Sequence, residues 1–240
     1  MISVNAIGSS SKGNAYIIDS GNSKLMLECG ISWRKIKEAI HFKTSDVDGI
    51  LISHSHLDHC KAVKDATKAG LDVYLSKETA EAISATGHRI HHIEAGKQFK
   101  IATWTIMPFE TVHLNSDGSP CLGSLGFLIV SGTDRLLFLT DSAYCKHLFS
   151  GLTHIMIEAN FSNEILDRNV KSGTISNSRR KRLLDSHFSL NRVVDFIKAN
   201  NMSKLREIYL LHLSSQNSDE ELFKRTIQGL TGVPVIVCGE

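Results

Sequence analysis

Gly49 to Ala62 reads GILISHSHLDHCKA, and the reading of this stretch decides the fold. Its first half, Gly49 to Ser53, is an apolar run of strand length, the kind buried on both faces of a parallel sheet. Behind it come His54, His56, Asp58 and His59. Crowded imidazoles repel one another as they protonate, and a carboxylate beside them must be desolvated if the site is buried. A shared cation offsets both costs, so the spacing H-x-H-x-D-H points to metal ligation. His54 and His56 alternate to the same side of an extended loop, while Asp58 and His59 follow in the turn before a helix expected from Lys61 to Ala69. One segment can then serve two metal ions about 3.5 to 4 Å apart.

The same device recurs along the chain. IMPFETV runs into His113, LLFLT into Asp141, HIMI into Glu158 and IYLL into His212. If these strands share sheets with their C-terminal ends on one side, the polar residues gather at one edge, where α/β folds commonly place their sites. The rest of the pattern fits that plan. It starts with a β-meander, SVNAIG, AYIIDS and KLMLEC, in which GSSSKGN and GNS read as turns. Helices follow from Ser32 to Ile40 and from Lys77 to about Ala85. The last third holds a helix capped by Ser189 and another opened by the Ser218 and Glu221 pair. Two mixed β-sheets flanked by helices, an α/β architecture spanning residues 1–240 as a single domain, is the expected fold.

With 240 residues, 42% of them hydrophobic, the chain can bury a full core, and its net charge is only +2. That charge excludes the pervasive basic bias of a protein held to nucleic acid by phosphate contacts alone. The opening MISVNAIGSSSKGN has no basic stretch ahead of an apolar core, and no apolar run approaches the ~20 residues of a membrane span, so no membrane association is expected. Five cysteines, scattered and never in C-x-x-C spacing, fit a reducing compartment. A cytoplasmic location is the expectation.

H-x-H-x-D-H resembles the first motif of the metallo-β-lactamase-fold hydrolases, and the resemblance covers essentially the whole chain. It implies a four-layer αβ/βα sandwich binding two divalent ions. By that resemblance His54, His56 and His113 bind one ion, Asp58, His59 and His212 the other, and Asp141 bridges them. Histidine and carboxylate donors suit Zn²⁺, with Mn²⁺ open as an alternative. Redox di-iron members carry glutamate at the position of His56, so hydrolysis is implied rather than electron transfer. Two dications against Asp58, Asp141 and a bridging hydroxide leave an excess of about +1, which favours an anionic phosphodiester.

Glu158 in EANF and His187 in SHFSLNR resemble the glutamate and histidine pair of ribonuclease Z-like phosphodiesterases, implying His187 as general acid assisted by Glu158. Asp58, His187 and Glu158 are then the candidate catalytic set. Closer still is the similarity to WalJ- and YycJ-type proteins and their phage anti-Pycsar relatives. It rests on GSSSKGN at Gly8 to Asn14, LTD at Leu139 to Asp141, EAN at Glu158 to Asn160 and HLS at His212 to Ser214. The family's other H-L-S stands here as His187, Phe188, Ser189, and LNSDGSPCLGSLGF after His113 is longer than the usual connection. The resemblance implies a homodimer and a nucleotide substrate. A cyclic nucleotide is favoured by the low net charge, and DNA or RNA is the alternative; a non-catalytic nucleotide- or metal-binding module is a third reading.

Other features have blander readings. GSSSKGN could offer amides to a phosphate or simply turn a hairpin. Arg168 to Arg182, RNVKSGTISNSRRKR, carries six positive charges and no acid, fitting either a nucleotide guide or a solvated face. His88, His91 and His92 read as surface or structural, Cys60 as a small packing residue, and Trp33 and Trp104 as core.

Overall fold

The computed structural model describes residues 1–239. In chain order the elements are β1 (Ser3–Ser10), β2 (Gly13–Asp19), β3 (Lys24–Leu27), α1 (Trp33–Ala39), β4 (Gly49–Leu51), α2 (Leu57–Cys60), α3 (Val63–Lys68), β5 (Val73–Leu75), α4 (Lys77–Ala82), β6 (Ile90–His92) and β7 (Phe99–Ile101). There follow β8 (Trp104–Glu110), β9 (Leu125–Ser131), β10 (Asp134–Leu139), β11 (His154–Glu158), α5 (Asn163–Lys171), α6 (Asn177–Ser186), α7 (Leu190–Ala199), β12 (Glu207–Leu211), α8 (Glu220–Thr231) and β13 (Val235–Val237). They build two mixed sheets, β1-β2-β3-β4-β5-β6 and β13-β12-β11-β10-β9-β8-β7. By contacts the chain divides into two compact units, residues 1–110 with 122–134, and residues 111–121 with 135–239.

In the first unit β1, β2 and β3 pair antiparallel, and β3 through β6 run parallel. Parallel strands need crossovers, and α1, α3 and α4 lie on the three between β3 and β6. Their Ile36 and Ala66 bury against Ile50, Ile52 and Val73 of the sheet. GSSSKGN is mostly strand rather than loop, because β1 runs to Ser10 and β2 resumes at Gly13; the plain hairpin is the reading that the backbone supports. The helix expected from Lys61 begins earlier. Leu57–Cys60 already forms a turn of helix, so Asp58 and His59 are helical, and α3 follows as a separate element. His56 is the N-cap and its side chain makes no capping bond, so the usual sequence signal of a helix start is missing.

Gly30 sets how closely this turn packs. A Cβ there would lie 1.7 Å from the Asp58 carbonyl oxygen, a backbone atom that cannot rotate away. Gly30→Ala must displace the Asp58 turn or strain it. We expect a destabilisation of about 3 kcal/mol, at the upper end of overpacking costs. Denaturant midpoints of the metal-free chain measure it, and a change under about 0.5 kcal/mol would show that the turn yields freely.

In the second unit β10, β11, β12 and β13 are parallel, with Leu139 opposite Ile157 and Glu158 opposite Leu211. The C-terminal ends of β10, β11 and β12 therefore share one edge. HIMIE is buried at every position, as a central strand covered on both faces should be. Ser189 caps α7 as the sequence suggests, through a bond from the Arg192 amide. For α8 the cap is Asp219 rather than Ser218: the Asp219 carboxylate accepts from the Leu222 amide at 2.9 Å, and a carboxylate is at least as good an acceptor there. No helix among the described residues is long and apolar enough to cross a membrane, and all five cysteines are free thiols.

Candidate metal centre

In the first unit the turn after β4 carries four of the expected ligands. His54 is buried, and its Nδ1 meets the Ser53 hydroxyl at 2.8 Å, which assigns Nε2 as the nitrogen available to a cation. The His54 ring lies 4.7 Å from the His56 ring and 4.1 Å from the His59 ring, so the alternation read from sequence does bring the imidazoles to one side. His59 Nε2 lies 3.5 Å from Asp58 Oδ2, close enough for both to reach one ion.

Two residues support this turn that the motif alone did not disclose. The Asn14 amide donates to the Asp58 carbonyl at 3.2 Å and lies 3.2 Å from His59 Nε2, whose lone pair a cation would take in its place, and its own oxygen accepts from the Tyr16 hydroxyl. Glu28, wholly buried and held at φ 63°, stands 3.6 Å from His59 Nδ1 and accepts from the Ser53 amide. Burial raises its pKa, and the nearby His59 pulls only partly the other way. A carboxylate facing the ring nitrogen opposite the ligating one is the arrangement that fixes the orientation of a metal-bound histidine. The signal was present in the sequence, since Glu28 is also an acid ending an apolar run.

In the second unit Asp141, Glu158, His187 and His212 come together, each offering an atom within 4.8 Å of the others. Asp141 and His212 leave their strands with φ of 33° and 53°, left-handed conformations that non-glycine residues hold only when the surroundings impose them. His212 Nδ1 donates to Asp141 Oδ1 at 2.6 Å, and the Asn160 amide holds the His212 carbonyl at 2.9 Å. His113 donates from Nδ1 to the Ser186 carbonyl at 3.0 Å, which directs its Nε2 toward Asp141, 3.9 Å away.

Glu158 is the hub. Its Oε2 accepts from the backbone amides of Ser142 and Phe188, and its Oε1 accepts from His187 Nδ1 at 2.5 Å. Those bonds occupy the carboxylate, so its part is to orient His187 rather than to ligate. His187 keeps Nε2 for other work, and at 18% side-chain exposure it is the most accessible of the four. Arg192 ties this corner together by donating to the carbonyls of Ala143 and Leu184 at 2.6 and 2.8 Å.

The electrostatics follow from two carboxylates buried side by side. Burial opposes charge on His212, yet Asp141 and Glu158 overcome it and lift the pKa to about 10. Burial likewise opposes charge on His187, and Glu158 again outweighs it, raising the pKa. Burial pushes Glu158 up, but the His187 charge pulls it below its ordinary value. The cluster thus draws positive charge to itself, and a dication among these donors would supply what the His212 proton supplies here. The residues fit a metal.

Elsewhere, His91 bonds Asp72 at 3.1 Å and stacks on Tyr74 at the sheet edge, a structural role. Cys60 is buried, with its thiol on the Ser55 and His56 carbonyls, and Trp104 is fully buried.

The beta-lactamase superfamily domain matches residues 23–212 of this sequence, a span that holds every candidate ligand. The chain belongs to the beta-lactamase superfamily. It is a metallo-hydrolase of that superfamily, and relatives share most of its length. Exodeoxyribonuclease WalJ of Streptococcus pneumoniae is 27% identical over 238 residues, covering 92% of this chain and 85% of that protein. Exodeoxyribonuclease YycJ of Bacillus anthracis is 26% identical over 234 residues, covering 92% and 86%. The crystal structure of Zn²⁺-bound PqqB from Methylobacterium extorquens superposes with a TM-score of 0.73 at 11% identity, covering 100% of this chain and 98% of that one. The fold is therefore that of the superfamily's α/β sandwich.

Proposed function

We propose that this superfamily member is a phosphodiesterase that uses two divalent cations to hydrolyse a nucleotide phosphodiester, its two compact units acting as one domain. His54, His56 and His113 would hold one ion, Asp58, His59 and His212 the second, and Asp141 would join both. Zn²⁺ fits these donors, with Mn²⁺ the alternative. When bound, the cations lower the pKa of a water molecule and draw charge from the phosphate. The chain's own residues do the rest. Ser53 and the Ser186 carbonyl fix the ring nitrogens of His54 and His113, Glu28 faces Nδ1 of His59, and Asn14 holds the Asp58 carbonyl. His187 delivers a proton from Nε2 to the leaving oxygen.

The observation that carries this reading is the His187–Glu158 pair. A histidine anchored through Nδ1 by a saturated, buried carboxylate, beside Asp141 and His212, is more than metal binding alone requires. The relatives named as exodeoxyribonucleases support a nucleic-acid phosphodiester as substrate. A cyclic nucleotide is the second reading, favoured by a net charge of only +2, because a single phosphate needs no long basic track. A cytoplasmic homodimer is the form the resemblance to WalJ- and YycJ-type proteins implies.

The test is a panel of cyclic mononucleotides, cyclic dinucleotides, linear DNA and linear RNA, assayed with Zn²⁺ and with Mn²⁺. At least one class should be cleaved, and only with metal present. Hydrolysis of none of them, with either ion bound, would overturn the proposal.

A further inference from the structure

The whole chain carries +2, yet α5 and α6 together, residues 163–186, carry six Lys or Arg against three acids, a net of +3. All of the chain's excess positive charge therefore sits in this helical pair, and overall charge understates what the surface offers an anion. Of the three acids, Asp167 is taken up by Arg180 at 2.8 Å. Arg168, Lys171, Arg179, Lys181 and Arg182 are exposed and form no ion pair among the described residues. Cations crowded on one helix repel each other by a few tenths of a kcal/mol per pair, and three acids against six cations offset that only in part.

The pair is built as a platform. It has a small core of its own, Phe161, Leu166, Ile175 and Leu183. Asn169 pins it through bonds from its amide to the Gln216 carbonyl and the Asn217 side chain, at 2.8 and 2.9 Å. It is also inserted between two residues of the site, leaving from Glu158 and returning at His187, which ends α6 as its C-cap. Arg179, Arg182 and Ser186 recur at the three- and four-residue spacing that lines up one stripe of a helix. Along the axis Arg182 lies about 6 Å and Arg179 about 10 Å before Ser186, whose carbonyl holds His113.

We propose that the α5–α6 pair is a track for the phosphates of a polynucleotide strand whose end is presented to His187. The inference rests on the phosphodiesterase reading and narrows its substrate to a strand, because one phosphate cannot engage cations distributed over two helices. No large apolar side chain is exposed on either helix, so the surface has nothing to insert into a lipid bilayer.

The test compares the metal-loaded chain with its R179E/K181E/R182E variant; Arg180 is kept because it pairs with Asp167. The substrates are a 20-residue oligodeoxythymidylate and the small diester bis(p-nitrophenyl) phosphate. Five phosphate contacts on a single strand, from Arg168, Lys171, Arg179, Lys181 and Arg182, predict that wild-type kcat/KM on the oligonucleotide falls about 100-fold from 50 to 200 mM salt. The variant, left with Arg168 and Lys171, should lose less than about 10-fold over that range, should be slower at 50 mM, and should cleave the small diester at the wild-type rate, which also reports its folding. Equal salt dependence in the two proteins, with the small diester still cleaved, overturns the track and leaves the phosphodiesterase reading standing. So does binding of wild type but not variant to phosphatidylserine vesicles with no difference on the oligonucleotide. Failure of wild type on both substrates overturns both readings.

Discussion

Asp141→Ala should lower kcat/KM on bis(p-nitrophenyl) phosphate by about 10³-fold or more, equivalent to about 4 kcal/mol of transition-state stabilisation. The size follows from what the carboxylate touches. It is the acceptor for His212 Nδ1 at 2.6 Å and for the Thr140 hydroxyl at 3.0 Å, and His113 Nε2 faces it at 3.9 Å. Removing it takes one donor from the proposed pair of cation sites and leaves His212, held at φ 53°, without the partner that justifies its conformation. Metal content measured on the purified variant should drop to one ion per chain or fewer. The fold should survive, because the strand behind Asp141 is fully buried from Leu136 to Leu139. Activity near wild type would remove Asp141 from the centre.

The legible part of the chain was legible for a physical reason. In a parallel sheet covered on both faces, the strands are continuous apolar runs, and the first polar residue after each run marks the edge where the site forms. Asp141 stands two residues beyond β10, Glu158 is the last residue of β11 and His212 follows β12, and the register of those strands sets them side by side. The H-x-H-x-D-H turn was legible because all of its geometry is local.

What escaped notice depends on contacts distant in sequence. Asn14 meets His59 across 45 positions, and nothing in GSSSKGN distinguishes an amide that holds a histidine from one in a phosphate loop. Arg192 reads as the polar face of an amphipathic helix, yet its guanidinium gathers carbonyls from two segments, Ala143 and the end of α6. Helices α5 and α6 were hidden by composition. Buried positions within them are few, Leu166, Leu183 and Ser186, and their stability comes from packing on one another rather than from a long apolar stripe.

His187→Ala carries the second large effect, and its size should depend on the leaving group. A general acid contributes about 10²- to 10⁴-fold when the departing oxygen is a poor leaving group, and far less when that oxygen departs readily as an anion. On an oligonucleotide, where a sugar alkoxide must leave, kcat should fall in that range with KM changed less than about 3-fold. On bis(p-nitrophenyl) phosphate, where p-nitrophenolate departs unaided, the fall should be less than about tenfold. Glu158 touches His187 Nδ1 and not the far nitrogen, so it acts as a positioning residue. Glu158→Gln, which keeps the shape but loses the charge, should reproduce part of the same leaving-group pattern, and the double variant should be no worse than His187→Ala alone. Losses of equal size on the two substrates would assign His187 to substrate binding or local packing. A fall confined to the poor leaving group can come only from a proton that no longer arrives.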